Sequence, residues 1–103
     1  MRRAAAVDRN QAEIVAALRK AGATVQVLSA VGQGCPDLLA GFRGRNWLLE
    51  CKDFAKPPSK RVLTPDQVDW HGGWKGQVAV VETVGAALAC IGAIDVKVAG
   101  SIS

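Results

Sequence analysis

Hydrophobic positions along the chain fall into short runs whose period changes several times. Ile14, Ala17, Leu18 and Ala21 recur at helical spacing, and Asp8 with Gln11 three positions on has the form of a helix start. A first helix is therefore predicted over 9–21, stopped by Gly22. Residues 23–28 alternate and are rich in β-branched side chains, which predicts a strand, and the glycine-bearing stretch 31–34 interrupts it. Two apolar runs, 37–42 and 46–51, flank Arg43-Gly44-Arg45 and predict a hairpin.

Residues 54–61 contain Pro57-Pro58 and three basic side chains and should form an exposed loop. Thr64 as N-cap, Pro65 at the first helical position and Gln67 completing a capping box open a second helix, which should end near Gly72-Gly73 or Gly76. Residues 77–81 read as a buried strand, 84–91 as a short apolar helix and 94–98 as an edge strand. The order α-β-β-β-α-β-α(β) implies an α/β domain with a mixed central sheet flanked by helices.

Composition narrows the picture. The 103 residues suit one domain spanning 1–103, and a chain that is 50% hydrophobic with a net charge of +4 is not disordered along most of its length. No run approaches the roughly 20 apolar residues of a membrane span. The apolar start meets Asp8-Arg9-Asn10 too soon for a signal peptide, so a cytoplasmic protein is expected. Cys35, Cys51 and Cys90 are odd in number and scattered, which reads as small core residues rather than a disulfide framework. With no C-x-x-C and one histidine, a structural zinc site is disfavoured, and any metal would be held mainly by oxygen.

The candidate chemistry lies in the hairpin. If Arg43-Gly44 is a two-residue turn, Phe42 pairs with Arg45 and, stepping outwards, Asp37 stands opposite Glu50. Their Cα atoms would then be about 4.5–5.5 Å apart on one face of the sheet, and Lys52 would share that face. A three-residue turn would shift the pairing by one. Opposed like charges destabilise a sheet unless compensated. Two carboxylates beside a glycine-rich segment form a site for a hard cation, whereas an ordinary ion pair of Glu50 with Lys52 is the commoner structural arrangement. Catalysis by a nucleophilic side chain fares poorly: Ser29 and Ser59 lack a triad pattern, and Cys35 or Cys51 would need the sole histidine, His71, nearby.

Gly34-Cys35-Pro36-Asp37 followed by Glu50-Cys51-Lys52 resembles the PD-(D/E)xK nuclease motif. With Glu13 on the first helix and Leu63-Thr64-Pro65-x-Gln67-x-x-Trp70 downstream, the chain resembles a stand-alone VRR-Nuc domain, a branch of that superfamily found in phages and in larger repair nucleases. The resemblance covers roughly residues 8–88, and the superfamily's restriction-endonuclease-like αβββαβ core agrees with the order of elements above. It implies that Asp37 and Glu50 bind a divalent ion, Mg²⁺ with Mn²⁺ able to substitute, assisted by the backbone carbonyl of Cys51. It further implies that Lys52 positions the attacking water, that Glu13 supplies an additional acidic ligand and that Gln67 reaches the active site. A capping box competes for Gln67, and one glutamine does not easily do both jobs. The implied reaction is hydrolysis of a DNA phosphodiester.

Lys56, Lys60 and Arg61 follow the catalytic strand directly and, with Arg9, are the candidate DNA contacts. Arg43 and Arg45 lie at the far end of the hairpin. Trp47, Trp70 and Trp74 read as core or interface residues. Related nucleases often work in pairs, and the stretch 84–91 is less polar than an exposed helix should be. A homodimer acting on branched DNA such as a Holliday junction is therefore expected. The alternative is a catalytically silent or accessory DNA-binding module that keeps the fold.

Overall fold

The computed structural model describes residues 10–93. Arg9, the Asp8 helix start and the expected strand over 94–98 lie outside them. The elements are helix α1 (Gln11–Lys20), strands β1 (Thr24–Val27), β2 (Leu38–Phe42) and β3 (Arg45–Cys51), helix α2 (Pro65–Gly73), strand β4 (Val78–Val81) and helix α3 (Val84–Ile91). A short 3-10 turn, Pro58–Lys60, lies between β3 and α2. The four strands form one mixed sheet in the order β1-β2-β3-β4, antiparallel except for the β3/β4 pair. This is the α/β arrangement expected from the sequence.

Local chemistry sets the boundaries. Gly22, in the left-handed region at φ 105, ends α1: its N–H bonds the carbonyl of Arg19 while Ala23 N–H bonds that of Leu18, a Schellman closure. At the start of α1 the Gln11 side chain reaches across to Ser29, its Nε2 donating to Ser29 Oγ at 3.0 Å. Asn10 occupies the cap position, yet its side chain makes no cap bond. Arg43 and Gly44 both have positive φ, 52 and 80, the signature of a two-residue type I′ turn. The register follows, with Phe42 opposite Arg45 and Leu38 opposite Leu49. Thr64 and Gln67 form the reciprocal capping box with Pro65 at the first helical turn.

The core lies on one face of the sheet. Ile14 and Leu18 of α1 and Ala87 and Ile91 of α3 pack against Leu38, Ala40, Leu49, Cys51 and Val81. Val84 and Leu88 pack against the same cluster, and the outward positions of α3 are the small Gly85, Ala86 and Ala89. The apolar character of α3 is thus largely accounted for within the fold. Strand β4 is less buried than expected: among the described residues it stands at the edge of the sheet, only Val81 of it is buried, and Val80 is 40% exposed. Of the cysteines only Cys51 is buried, and none is in a disulfide. Trp47 packs on the core, whereas Trp70 and Trp74 of the α2 region stack on each other, rings 4.7 Å apart and 17° from parallel, with Trp74 exposed. Among the described residues no helix is long and apolar enough to cross a membrane.

Candidate active site

Because side chains alternate along a strand, Leu49 and Cys51 enter the core while Glu50 and Lys52 emerge on the opposite face. There they meet α2. Gln67 Nε2 donates to Glu50 Oε2 at 3.0 Å, and Gln67 Oε1 accepts from Lys52 Nζ and from Thr64 N–H, each at 2.9 Å. The amide orientation is dictated by its partners: an ammonium and a backbone N–H only donate, and a carboxylate only accepts. Gln67 therefore caps its own helix and bonds both charged side chains at once, although one glutamine was not expected to do both easily. Its oxygen has two lone pairs, one for Thr64 N–H and one for Lys52 Nζ.

Asp37 sits just before β2, and its Oδ2 accepts from the backbone N–H of Cys51 at 2.8 Å, fixing it against the end of β3. Lys52 Nζ lies 3.6 Å from Glu50 Oε2, and both residues are buried, unusual for charged groups. Burial, together with the charge of Asp37, pushes the Glu50 carboxyl up to about 8 from an ordinary 4.5, with Lys52 opposing the shift. Glu50 Oε1 is buried and accepts from no donor, and a side-chain hydrogen bond between Glu50 and Asp37 adds to the upward shift. A carboxylate pair whose second member has an orphaned oxygen and resists ionisation lacks positive charge that one ammonium does not supply. The hard oxygen donors fit a divalent cation such as Mg²⁺ or Mn²⁺. Among the described residues no three His, Cys, Asp or Glu side chains form such a group, so water and backbone carbonyls, Cys51 among those expected, would complete any coordination shell.

Asp37, Glu50, Cys51, Lys52 and Gln67 line a cavity of about 300 Å³ together with Lys60 and the glycine-rich segment. Gly34 is required there: its φ is +87, and a Cβ would collide with the backbone carbonyl of Asp66 at the start of α2. The Cys35 thiol also faces the cavity, but burial and the charges of Glu50 and Asp37 push its pKa up, which opposes a thiolate nucleophile. His71, in the last turn of α2, is held below its ordinary pKa by burial and by the Lys52 charge.

Other expected residues are placed elsewhere. Glu13 is exposed on α1 and lines a separate depression with Asn10, Asp53, Phe54 and Ala55, so it is not brought to the carboxylate pair. Lys56 and Lys60 are exposed on the loop after β3, Lys60 at the cavity itself. Arg61 is turned to Glu82, with 3.2 Å between Nη1 and Oε1. Two buried residues escaped the sequence reading. Asn10 Nδ2 donates to the carbonyls of Lys52 and Glu82, both at 2.9 Å, tying the ends of β3 and β4 to the start of α1. Asp53 Oδ1 accepts from Ala55 N–H and shapes the chain leaving the site. No local signal marks Asn10, because an asparagine before a helix reads as a cap.

The structure is similar to a solved "VRR_NUC domain" structure, with a TM-score of 0.60 and 29% identity, the match covering 81% of this chain and 90% of that one. No family sequence model and no curated protein matches the chain.

Proposed function

Because the chain is a VRR-Nuc domain, a nuclease-type fold, we propose that it is a divalent-metal-dependent DNA endonuclease, specific for branched DNA such as a four-way junction and acting as a homodimer. One observation carries the catalytic part: a buried Glu50 with an orphaned oxygen, linked to Lys52 through Gln67 and opposed by Asp37 in one cavity.

Asp37 and Glu50, with the carbonyl of Cys51, would hold Mg²⁺ or Mn²⁺, which when bound supplies positive charge to polarise the scissile phosphate. The remaining work belongs to the protein. Lys52 Nζ directs one N–H to Gln67 Oε1 and faces Glu50 Oε2 at 3.6 Å, which leaves a donor to orient a water or to stabilise charge developing on a phosphate oxygen. Gln67 fixes the Lys52 head and the Glu50 carboxylate relative to each other, so neither has to be ordered when substrate arrives. Asp37 is preorganised by the Cys51 N–H. Lys56 and Lys60 meet neighbouring phosphates; Arg9, the other expected contact, lies outside the described residues.

The reading is tested by incubating the protein with linear, flapped and four-way DNA in Mg²⁺ or Mn²⁺. Cleavage of the branched substrates that stops on adding a chelator is expected. Absence of cleavage on every substrate would refute it.

A further inference from the structure

Phosphate contacts position a nucleic acid but do not distinguish a branch from a continuous duplex. The two elements that bring Glu50 and Gln67 together also continue beyond them. On β3, Leu48 lies two residues before Glu50 and shares its face of the sheet, with about 6.6 Å between the Cα atoms. On α2, Gln67, Trp70 and Trp74 follow at helical spacing, so the helix face that starts with Gln67 at Glu50 reaches Trp74 about 10 Å further along. Between these continuations lies a second cavity of about 490 Å³, lined by Leu39, Asn46, Leu48, Trp74, Gly76 and Gln77.

Its chemistry differs from that of the carboxylate cavity. Leu39 and Leu48 stand directly opposite each other in the β2/β3 register and give it an apolar floor. Trp74 has one face against the Trp70 ring, yet the residue is 45% exposed. Its ring is seated close to the chain that follows: a Cβ on Gly76 would come within 2.9 Å of Trp74 Nε1. Gln77 Nε2 donates to the Asn46 carbonyl and so ties that chain to β3. An aromatic ring held in this way loses little freedom on meeting a partner. The six lining residues are all uncharged, which gives a phosphate no ion to pair with. A flat, neutral group with polar edges fits better, since the Asn46 side-chain amide offers both a donor and an acceptor beside the apolar floor.

We propose that this cavity is a nucleobase subsite, in which the face of Trp74 turned away from Trp70 stacks on an unpaired base of the strand held at Glu50 and Lys52. In a continuous duplex each base is paired and covered by its neighbours, and only extrusion would bring one into the cavity. The subsite therefore selects DNA in which a base is already unstacked, as at flaps and branch points. The inference rests on the nuclease reading for its substrate, and its test uses metal-free binding rather than cleavage, so the two fail separately.

The test measures equilibrium binding of wild type, Trp74→Ala and Trp74→Phe to a four-way junction, without divalent metal. The same junction is also used as a series in which one position near the branch, on equivalent arms, is made abasic. Wild type is expected to lose about 5- to 100-fold in affinity at one position of the series, the range of one base stack. Trp74→Ala should show that loss already on the intact junction, lose nothing more at that position, and bind that abasic junction as tightly as wild type does. Trp74→Phe should keep the positional preference, and the salt dependence of binding should be the same in all three proteins. Uniform binding of wild type across the abasic series would overturn the subsite. So would weakening of Trp74→Ala on every DNA alike, the mark of a merely structural role. A wild-type dimer that becomes a monomer in Trp74→Ala would give this face to a second copy of the chain and overturn it as well.

Discussion

Glu50 is the residue on which the site's electrostatics turn. Its carboxyl, raised from 4.5 to about 8, keeps a proton in the fold over a range where the unfolded chain has released it. The metal-free protein should therefore lose stability as pH rises from about 4.5 to about 8 and level off above that. Thermal unfolding at several pH values checks this, and Glu50→Gln should flatten the dependence. A divalent ion must displace that proton, so at subsaturating Mg²⁺ the cleavage rate should climb by about tenfold per pH unit until near pH 8. Glu13 offers the contrast. Since it lines a different depression, Glu13→Gln is predicted to retain cleavage within about threefold, measured under the same conditions as wild type.

At the scale of elements, α2 reaches Glu50 of β3 and Lys52 through Gln67, and its seating depends on Gly34. Gly34→Ala combines a left-handed backbone with a collision against Asp66, so it should cost more than about 1 kcal/mol and lower cleavage by displacing Gln67. Asn10→Ala removes two bonds to buried strand-end carbonyls and is predicted to cost about 1–3 kcal/mol in chemical unfolding. These two sites divide what was legible in the sequence from what was not. The Arg43-Gly44 turn, the Thr64 cap and the alternation of β3 are local signals, and together they place Glu50 and Lys52 on one face beneath α2. The Asn10 ties span 42 and 72 residues, and the Arg61 pair with Glu82 spans 21. Such partners depend on tertiary packing, which no short-range pattern encodes. Gln67 was legible twice, as cap and as site residue, and only the geometry reveals that a single amide serves both.

For the whole molecule, the sheet divides the labour. One face, with α1 and α3, holds the core, and the other carries the charged site beneath α2. Packing of Val84, Ala87, Leu88 and Ile91 into the core takes away the reason that 84–91 gave for a dimer interface. The proposed homodimer then rests on the small size of the domain relative to a branched substrate, and light scattering should give twice the chain mass for the protein alone and two chains per junction for its complex with DNA. The most direct measurement is single-turnover cleavage of a four-way junction in Mg²⁺ at pH 8, with Asp37→Asn and Lys52→Ala purified alongside wild type. The predicted result is junction cleavage by wild type and a loss of about a hundredfold or more in each variant. Equal rates in all three preparations would contradict the assignment of chemistry to this site.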